Sequence, residues 1–424
     1  MKKYDIIVAG GGFAGAAAAI SAGRLGKKVL LFDKSNCMGG AAANALVNPF
    51  MPYSTRIDGK QHRLSSGLFL EIQDELDKLR LLTGETMHMA GRSVFGEEHL
   101  KLLLNRMAKD AGVDLLYHAY LCGVNCSDGK VNSVTVATKS GNIELFADYF
   151  IDATGDADLT YRAGIPCRLG RESDGLCQPM TLCFRVSNVD TEKFAQERPK
   201  MQELYKQYKA EGKIHNPRED VLVFDKFMQK GVIHFNTTRI VRLNPVDPFD
   251  VTAAEIEARE QAYEVYLLLK NNLESMKDSE LISTASEIGV RESRMINGLH
   301  ILTGKEIVDC TKFEDSIACG NYDIDIHNPE GEGTSHYFFP DGQYYEIPYR
   351  TLVPRDAKNL FAAGRCISVD HEAQASVRIM PIVCCLGEAA GVAAAVCADE
   401  GTSTHDANVK RIQEILVNNG AVIH

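Results

Sequence analysis

Between residues 4 and 23 the chain reads YDIIVAGGGFAGAAAAISAG, and no other stretch restricts its fold as tightly. Tyr4 to Ala9 has no solvent-facing alternation, as expected of a parallel strand covered on both faces. Gly10, Gly12 and Gly15 then give G-x-G-x-x-G and lead into a small-residue helix over about 13–26. Gly10 permits the tight turn, Gly12 lets the backbone approach a pyrophosphate, and Gly15 lets the helix pack closely on the strand. Phosphates suit such a helix N-terminus, where unpaired N–H groups and the dipole favour anions. A second strand, KKVLLFD, ends in Asp33, 18 residues after Gly15, where an acceptor for a ribose hydroxyl is expected. A secretory signal is the rival use of MKK followed by apolar residues, but Asp5 and three successive glycines interrupt the apolar run.

At 424 residues the chain predicts two domains rather than one. No uninterrupted apolar run reaches the ~18 residues that span a bilayer, so no membrane partner is expected. The net charge of −11 counts against nonspecific nucleic-acid binding, which draws on phosphate neutralisation by Lys and Arg. Twelve cysteines are scattered without C-x-x-C, which predicts no metal or iron–sulfur site and reduced thiols in a cytoplasmic protein. Cys37 draws notice because it sits beside Gly39 and Gly40 in the nucleotide region.

Residues 64–82 and 98–111 have the 3–4 spacing of amphipathic helices, and short alternating strands follow to about residue 155. The middle, about 166–344, differs in texture. TLCFRVSNV and VIHFNTTRIV read as strands, Thr191 to about Ala210 as a helix, and T-A-A-E at Thr252 as the capping box of a long helix. From Tyr345 the first texture returns, with the short strand NLFAAG and the small-residue helix PIVCCLGEAAGVAAAVCA. The expected organisation is therefore a discontinuous nucleotide-binding domain, 1–165 and 345–424, with a substrate or cap domain inserted at 166–344.

FIDATGDADL (150–159) and NLFAAGRCIS (359–368) are apolar strands ending in Gly155 and Gly364. A chain with GxGxxG first, ATG in the middle and AGR near the end resembles the glutathione-reductase-like class of FAD proteins. Further segments, IGVRESRMINGLHIL (288–302), DIDIHNPEG (323–331) and YEIPYRTLVPRDAKNLFAAGRCISVDHEAQASVRIMP (345–381), resemble the FAD-dependent oxidoreductase family over nearly the whole chain. The outline is also similar to fumarate-reductase-type flavoproteins, heterodisulfide-reductase flavin subunits and tRNA uridine-modifying flavoproteins. The resemblance implies an α/β fold, an FAD-binding Rossmann-like domain with an inserted α+β substrate domain, and noncovalent FAD. It implies a cofactor site drawn from Gly10, Gly12, Ala14, Gly15, Asp33, Lys34, Gly40, Ala41, Leu121, Ala153, Thr154, Gly155, Gly364, Arg365 and Met380. One departure is Met295, where the family's RExRR-like segment leads one to expect a second arginine.

A flavin enzyme orients its substrate and places a group to take or give the substrate's proton. The helix at Pro381 is suited to face negative charge on the flavin, with proline where its missing donor costs nothing. His327 shares a strand face with Asp323 and Asp325, so a carboxylate is expected to raise its pKa; a metal site and a structural loop are the rival readings. His371 follows Gly364 closely, while His234 and His336 are weaker candidates. Arg291, Arg294, Arg350 and Arg378 offer guanidinium forks for an anion, unless Arg291 pairs with Glu292 or Glu287. Tyr344, Tyr345 and Tyr349 line a pocket or simply pack.

Together these predict an FAD-dependent oxidoreductase passing a hydride between a small, anionic organic substrate and flavin N5, with a separate electron acceptor or donor. The alternatives are an electron-transferring flavin subunit and a tRNA-modifying flavoprotein. No nucleic-acid partner is expected, and a homo-oligomer is open.

Overall fold

The opening segment forms its strand, Lys3–Ala9, in the middle of a seven-stranded sheet. It pairs in parallel with Val29–Phe32 on one side and with the end of Gly141–Asp152 on the other. Asp114–Leu116 extends the sheet beyond Val29–Phe32, again in parallel. Residues 3–82, 94–225 and 229–424 are described by this computed structural model.

The 12-residue strand Gly141–Asp152 does two jobs. Its first half closes an antiparallel meander with Lys130–Thr138 and Tyr120–Ser127. Its second half, from Phe146, joins the parallel sheet, where Phe150 to Asp152 also pair with Leu360–Ala362. The strand ends of 9, 32, 152 and 362 thus point the same way. In open parallel sheets that carboxyl edge is where ligands bind.

Two helices cover one face of this sheet, Phe13–Arg24 and Met380–Glu400. They meet at backbone distance because their facing residues are small. A Cβ on Gly387 would stand 2.1 Å from the Ala14 carbonyl oxygen, and one on Gly391 2.2 Å from that of Ala18. Among the described residues, Met380–Glu400 is the helix long and apolar enough to cross a membrane, and its apolar window is wholly buried in the core.

A second sheet runs Val223–Phe224, Ile233–Phe235, Phe184–Ser187, Glu280–Thr284, antiparallel throughout. It has a core of its own, with Phe184, Phe194, Tyr205, Phe235 and Leu269. The helix Thr191–Ala210 supplies part of that core with the bounds the sequence predicts. The long helix begins earlier than expected, at Pro248. Asp247 caps it by accepting from Phe249 and Asp250 N–H, and Pro248 occupies the first turn, so Thr252 is already inside the helix, donating to the Pro248 carbonyl. That aspartate–proline pair satisfies the orphan donors better placed than the T-A-A-E box does. Residues beyond this sheet return to the first core, which includes Met295, Leu302, Ile307, Ile317 and Ile324.

Candidate cofactor cradle and active site

The glycines of the first turn are not equivalent. A Cβ on Gly15 would lie 1.8 Å from the Gly10 carbonyl oxygen, and one on Gly10 2.4 Å from that of Ala153. These two positions let strand, helix and the Ala153–Thr154 segment touch through backbone. Gly12 differs, since a Cβ there would meet nothing nearer than the Gly40 Cα at 4.0 Å. The fold itself leaves room at Gly12, beside the helix N-terminus where a pyrophosphate would sit.

Helix ends support the same reading. The helices starting at Thr191, Pro248, Gly304, His371 and Val409 are each capped by a side chain, from Asp190, Asp247, Thr303, Asp370 and Asn408. The Phe13 and Met380 helices have no side-chain cap and no acidic residue in the first turn. Their orphan N–H groups are left for a ligand.

The remaining cradle residues converge on these two helix ends. Asp33 takes the Gly11 N–H at 2.5 Å and the Ser35 N–H at 2.7 Å, fixing its carboxylate at the end of the second strand. Lys34 is exposed at the rim and pairs with Glu287 at 3.1 Å. Gly40 and Ala41 open a short 3-10 turn bridged to the first turn through Gly12 and Gly39. Leu121 is buried two residues beyond Ala119, whose N–H meets the Asp33 carbonyl. Gly364, at φ +98°, faces Ala14, and Met380 is the first residue of its helix.

The ATGD strand end is locked by a buried carboxylate. Asp152 accepts from Thr154 Oγ1 at 2.7 Å and from both the N–H and the hydroxyl of Thr160, at 2.8 and 2.7 Å. Gly155 lies under Arg365, which binds Asp156 at 2.8 Å and Ser293 Oγ at 2.7 Å. Ser293 in turn donates to Asp156 at 2.6 Å. The cofactor strand ends and the 291–294 segment are therefore one hydrogen-bonded unit. Sequence reading missed Asp156 and Ser293 because their roles need both partners in place.

Beyond Ser293 lies the chemistry-bearing part. Glu292 is fully buried; it receives the Gln178 N–H at 2.8 Å and the His371 Nδ1 at 2.8 Å. Burial works against a charged imidazole at His371, but the Glu292 contact outweighs it and raises the pKa. His371 lines a cleft of about 1280 Å³, along with Arg168, Arg171, Ile326 and Thr334.

Behind the Thr334 wall is a cluster of cations. Arg239 is fully buried and reaches His327 Nδ1 at 3.1 Å; His327 Nε2 lies 3.3 Å from Asp325, which Arg378 meets at 3.5 Å. Burial, helped by Arg291, drives His327 down to about 3, so it is neutral at physiological pH. This corrects the expectation that its carboxylate neighbour raises it: burial, with Arg291 and Arg378 beside the ring, outweighs Asp325. Asp325 itself is held well below the usual carboxylate range, since His327, Arg378 and Arg291 offset its burial.

Arg291 pairs with neither Glu292 nor Glu287. It donates to the Pro179 carbonyl and to Thr181 Oγ1, both at 2.6 Å, and burial plus Arg378 lower it to about 9. The other candidates separate cleanly. Arg294 binds Asp156 and Asp158 and supports the cofactor loop, while Arg350 is exposed and paired with Asp315. His234 is buried in the second sheet, and His336 sits at the surface with Asp323. Tyr345 and Tyr349 are buried on Ser376 and the Thr404 carbonyl, so they are packing residues. Met295 is 1 % exposed in the first core, so the family's missing arginine leaves an apolar position rather than a hole in the cleft. Cys37 is buried and its thiol is pushed up by burial, the opposite of an activated thiolate.

Sheet, glycine cradle and uncapped helix pair define an α/β FAD-binding protein with a Rossmann-like sheet. The chain belongs to the FAD dependent oxidoreductase family, whose sequence model matches residues 5–416, and its cofactor is FAD. Solved structures agree on the fold. The p-nitrophenol 4-monooxygenase PnpA from Pseudomonas putida DLL-E4 aligns at 11% identity over 99% of this chain and 85% of its own, with a TM-score of 0.53. The flavin-dependent brominase Bmp2 aligns at 11% identity over 98% and 84%, with a TM-score of 0.51. A soluble pyridine nucleotide transhydrogenase of Mycobacterium bovis is 30% identical over 97 residues, 22% of this chain, and the match spans only 20% of that relative's length.

Proposed function

We propose that this flavoenzyme oxidises or reduces a small organic anion in the cleft beside His371, within a fold of the glutathione-reductase-like class. Bound noncovalently, FAD supplies the hydride acceptor or donor at N5. The residues at Gly10 to Gly15, Asp33, Gly155, Gly364 and Met380 would hold it, the two uncapped helix ends meeting its negative charge. Residues 166–344 contribute most of the substrate side, with an electron acceptor or donor that enters separately.

The observation that carries the substrate class is the gathering of Arg239, Arg291 and Arg378 within electrostatic reach of the buried Asp325 and a neutral His327, with Arg378 paired to Asp325 at 3.5 Å. Glu219 also lies 3.3 Å from Arg239, and three cations against two carboxylates still leave excess positive charge in a desolvated setting, where it attracts an anionic group most strongly. His371, on the cleft wall, moves the substrate's proton. Neither electron transfer within a larger complex nor tRNA modification gains a comparable observation.

Anaerobic mixing of the purified holoprotein with a panel of small carboxylates and their uncharged amide or ester analogues tests this. Carboxylates are expected to bleach the flavin band and the neutral analogues to fail. Equal bleaching by both sets would remove the anionic-substrate reading.

A further inference from the structure

We propose that Glu292 is the positioning residue that makes His371, and not His327, the site's proton carrier; this rests on the cleft beside His371 being the active site. The two histidines are the chain's own candidates, and their surroundings are opposite in kind. His327 has partners on both nitrogens: Arg239 and Thr334 at Nδ1, Asp325 at Nε2. A ring bonded at both nitrogens has none left for a substrate.

His371 is bonded on one side only. Its Nδ1 lies 2.8 Å from Glu292 Oε1, and among the described residues no protein group is bonded to Nε2. A carboxylate only accepts, so Nδ1 carries its proton towards Glu292, and Nε2 is the nitrogen that exchanges protons in the cleft. Glu292 is itself immobilised. Its other oxygen holds the Gln178 N–H at 2.8 Å, and Gln178 Nε2 reaches Gln374 Oε1 at 2.9 Å in the same helix as His371. Gln374 Nε2 donates to the Arg291 carbonyl at 2.7 Å, so both ends of the Glu292–His371 contact are tied to one frame. A buried carboxylate costs several kcal/mol unless paired, which makes the imidazolium its natural counter-ion.

Other charges face His371 as well. Glu372 is its chain neighbour and adds to Glu292, Arg171 opposes them, Asp174 lies within electrostatic reach, and Asp370 caps its helix. Glu292 is the one in direct contact. In oxidation the neutral Nε2 accepts the proton released by the substrate, and in reduction the imidazolium returns it. The rate of oxidation therefore rises with pH as His371 loses its proton, and that limb belongs to the Glu292–His371 pair.

Glu292→Gln is the test, read two ways. Imidazole NMR titration of isotope-labelled protein, without substrate, should show the His371 resonance midpoint falling by about 1–2 pH units while the others stay. With a carboxylate that bleaches the flavin, the rising limb of the anaerobic reduction rate should move down by the same amount. Glu292→Asp, keeping the charge, should restore most of the shift. A limb and a resonance that stay in place in a folded Gln variant overturn the proposal. A resonance that moves without any carboxylate reacting leaves Glu292 in its role and instead refutes the anionic-substrate function.

Discussion

The candidate cofactor cradle and the proposed substrate cleft lie on either side of Ser293, yet they are built by different means. The cradle works through backbone: glycines at contact distance, uncapped helix ends and one fixed carboxylate at Asp33. The cleft side works through side chains gathered from far apart in the chain: Arg168 and His371 on the wall, Glu292 against His371, and Arg239, Arg291, His327 and Arg378 behind Thr334. Backbone recognition is local and leaves a motif. Side-chain recognition is assembled by topology and leaves only isolated polar residues.

The sharpest way to break this comparison is within the glycine motif. Gly15→Ala forces a Cβ to 1.8 Å from the Gly10 oxygen, so loss of about 3 kcal/mol or more, or of soluble folded protein, is expected in denaturant titrations. Gly12→Ala meets ordinary contacts at φ −62°, so the flavin-free protein should stay within about 1 kcal/mol of the parent while losing FAD uptake. A Gly12→Ala protein that remains yellow would mean the first turn holds the cofactor differently.

On the cleft side, His371→Asn should lower the rate of substrate-dependent flavin reduction by ~10²–10⁴-fold, with the flavin spectrum and stability kept. A loss of stability equal to the loss of rate would assign His371 a structural role.

The Met380 helix also carries a buried carboxylate, Glu388, which accepts the Leu68 N–H at 3.0 Å. Burial raises its pKa to about 7, above the ordinary 4.5. The folded state then keeps a proton that the unfolded state has lost, so stability falls as pH rises from about 4.5 to about 7. The full effect is on the order of 3 kcal/mol. Glu388→Gln should flatten that slope in pH-dependent thermal unfolding. A slope unchanged by the substitution would place the titrating group elsewhere.

The smallest expected effect separates two arginines that the sequence offers alike as anion anchors. Arg378→Gln should cost about 1.5–3 kcal/mol in kcat/KM for a carboxylate, mostly through KM. Arg350→Gln, at an exposed pair with Asp315, should change kcat/KM less than twofold and stability by about 1 kcal/mol at most.

The helices at 68–82 and 97–110 were legible because an amphipathic face repeats every turn, that at 191–210 as a polar helical stretch, and the α/β FAD-binding fold because three glycine-ended strands recur in order. Asp33, Gly155 and Gly364 stand out in the sequence for the same reason, at or beside the ends of such strands. The start of the long helix was not, since Asp247–Pro248 and Thr252–Glu255 are both competent caps and packing chose between them. Neither was the state of His327: adjacent carboxylates are visible in D-I-D-I-H, but Arg239 and Arg291 come from 88 and 36 residues away.

The sequence by itself determined a strand, glycine turn and helix of the dinucleotide-binding kind, glycine-ended strands again at 155 and 364, and a family whose cofactor is FAD. Those features depend on residues within one turn of each other, where backbone geometry follows from local chemistry. Only the tertiary structure decided that Glu292 belongs to His371, that Arg291 does not pair with it, and that His327 is neutral. Charge balance in a buried site is a sum over every element packed around it, and that sum does not exist until the chain has folded.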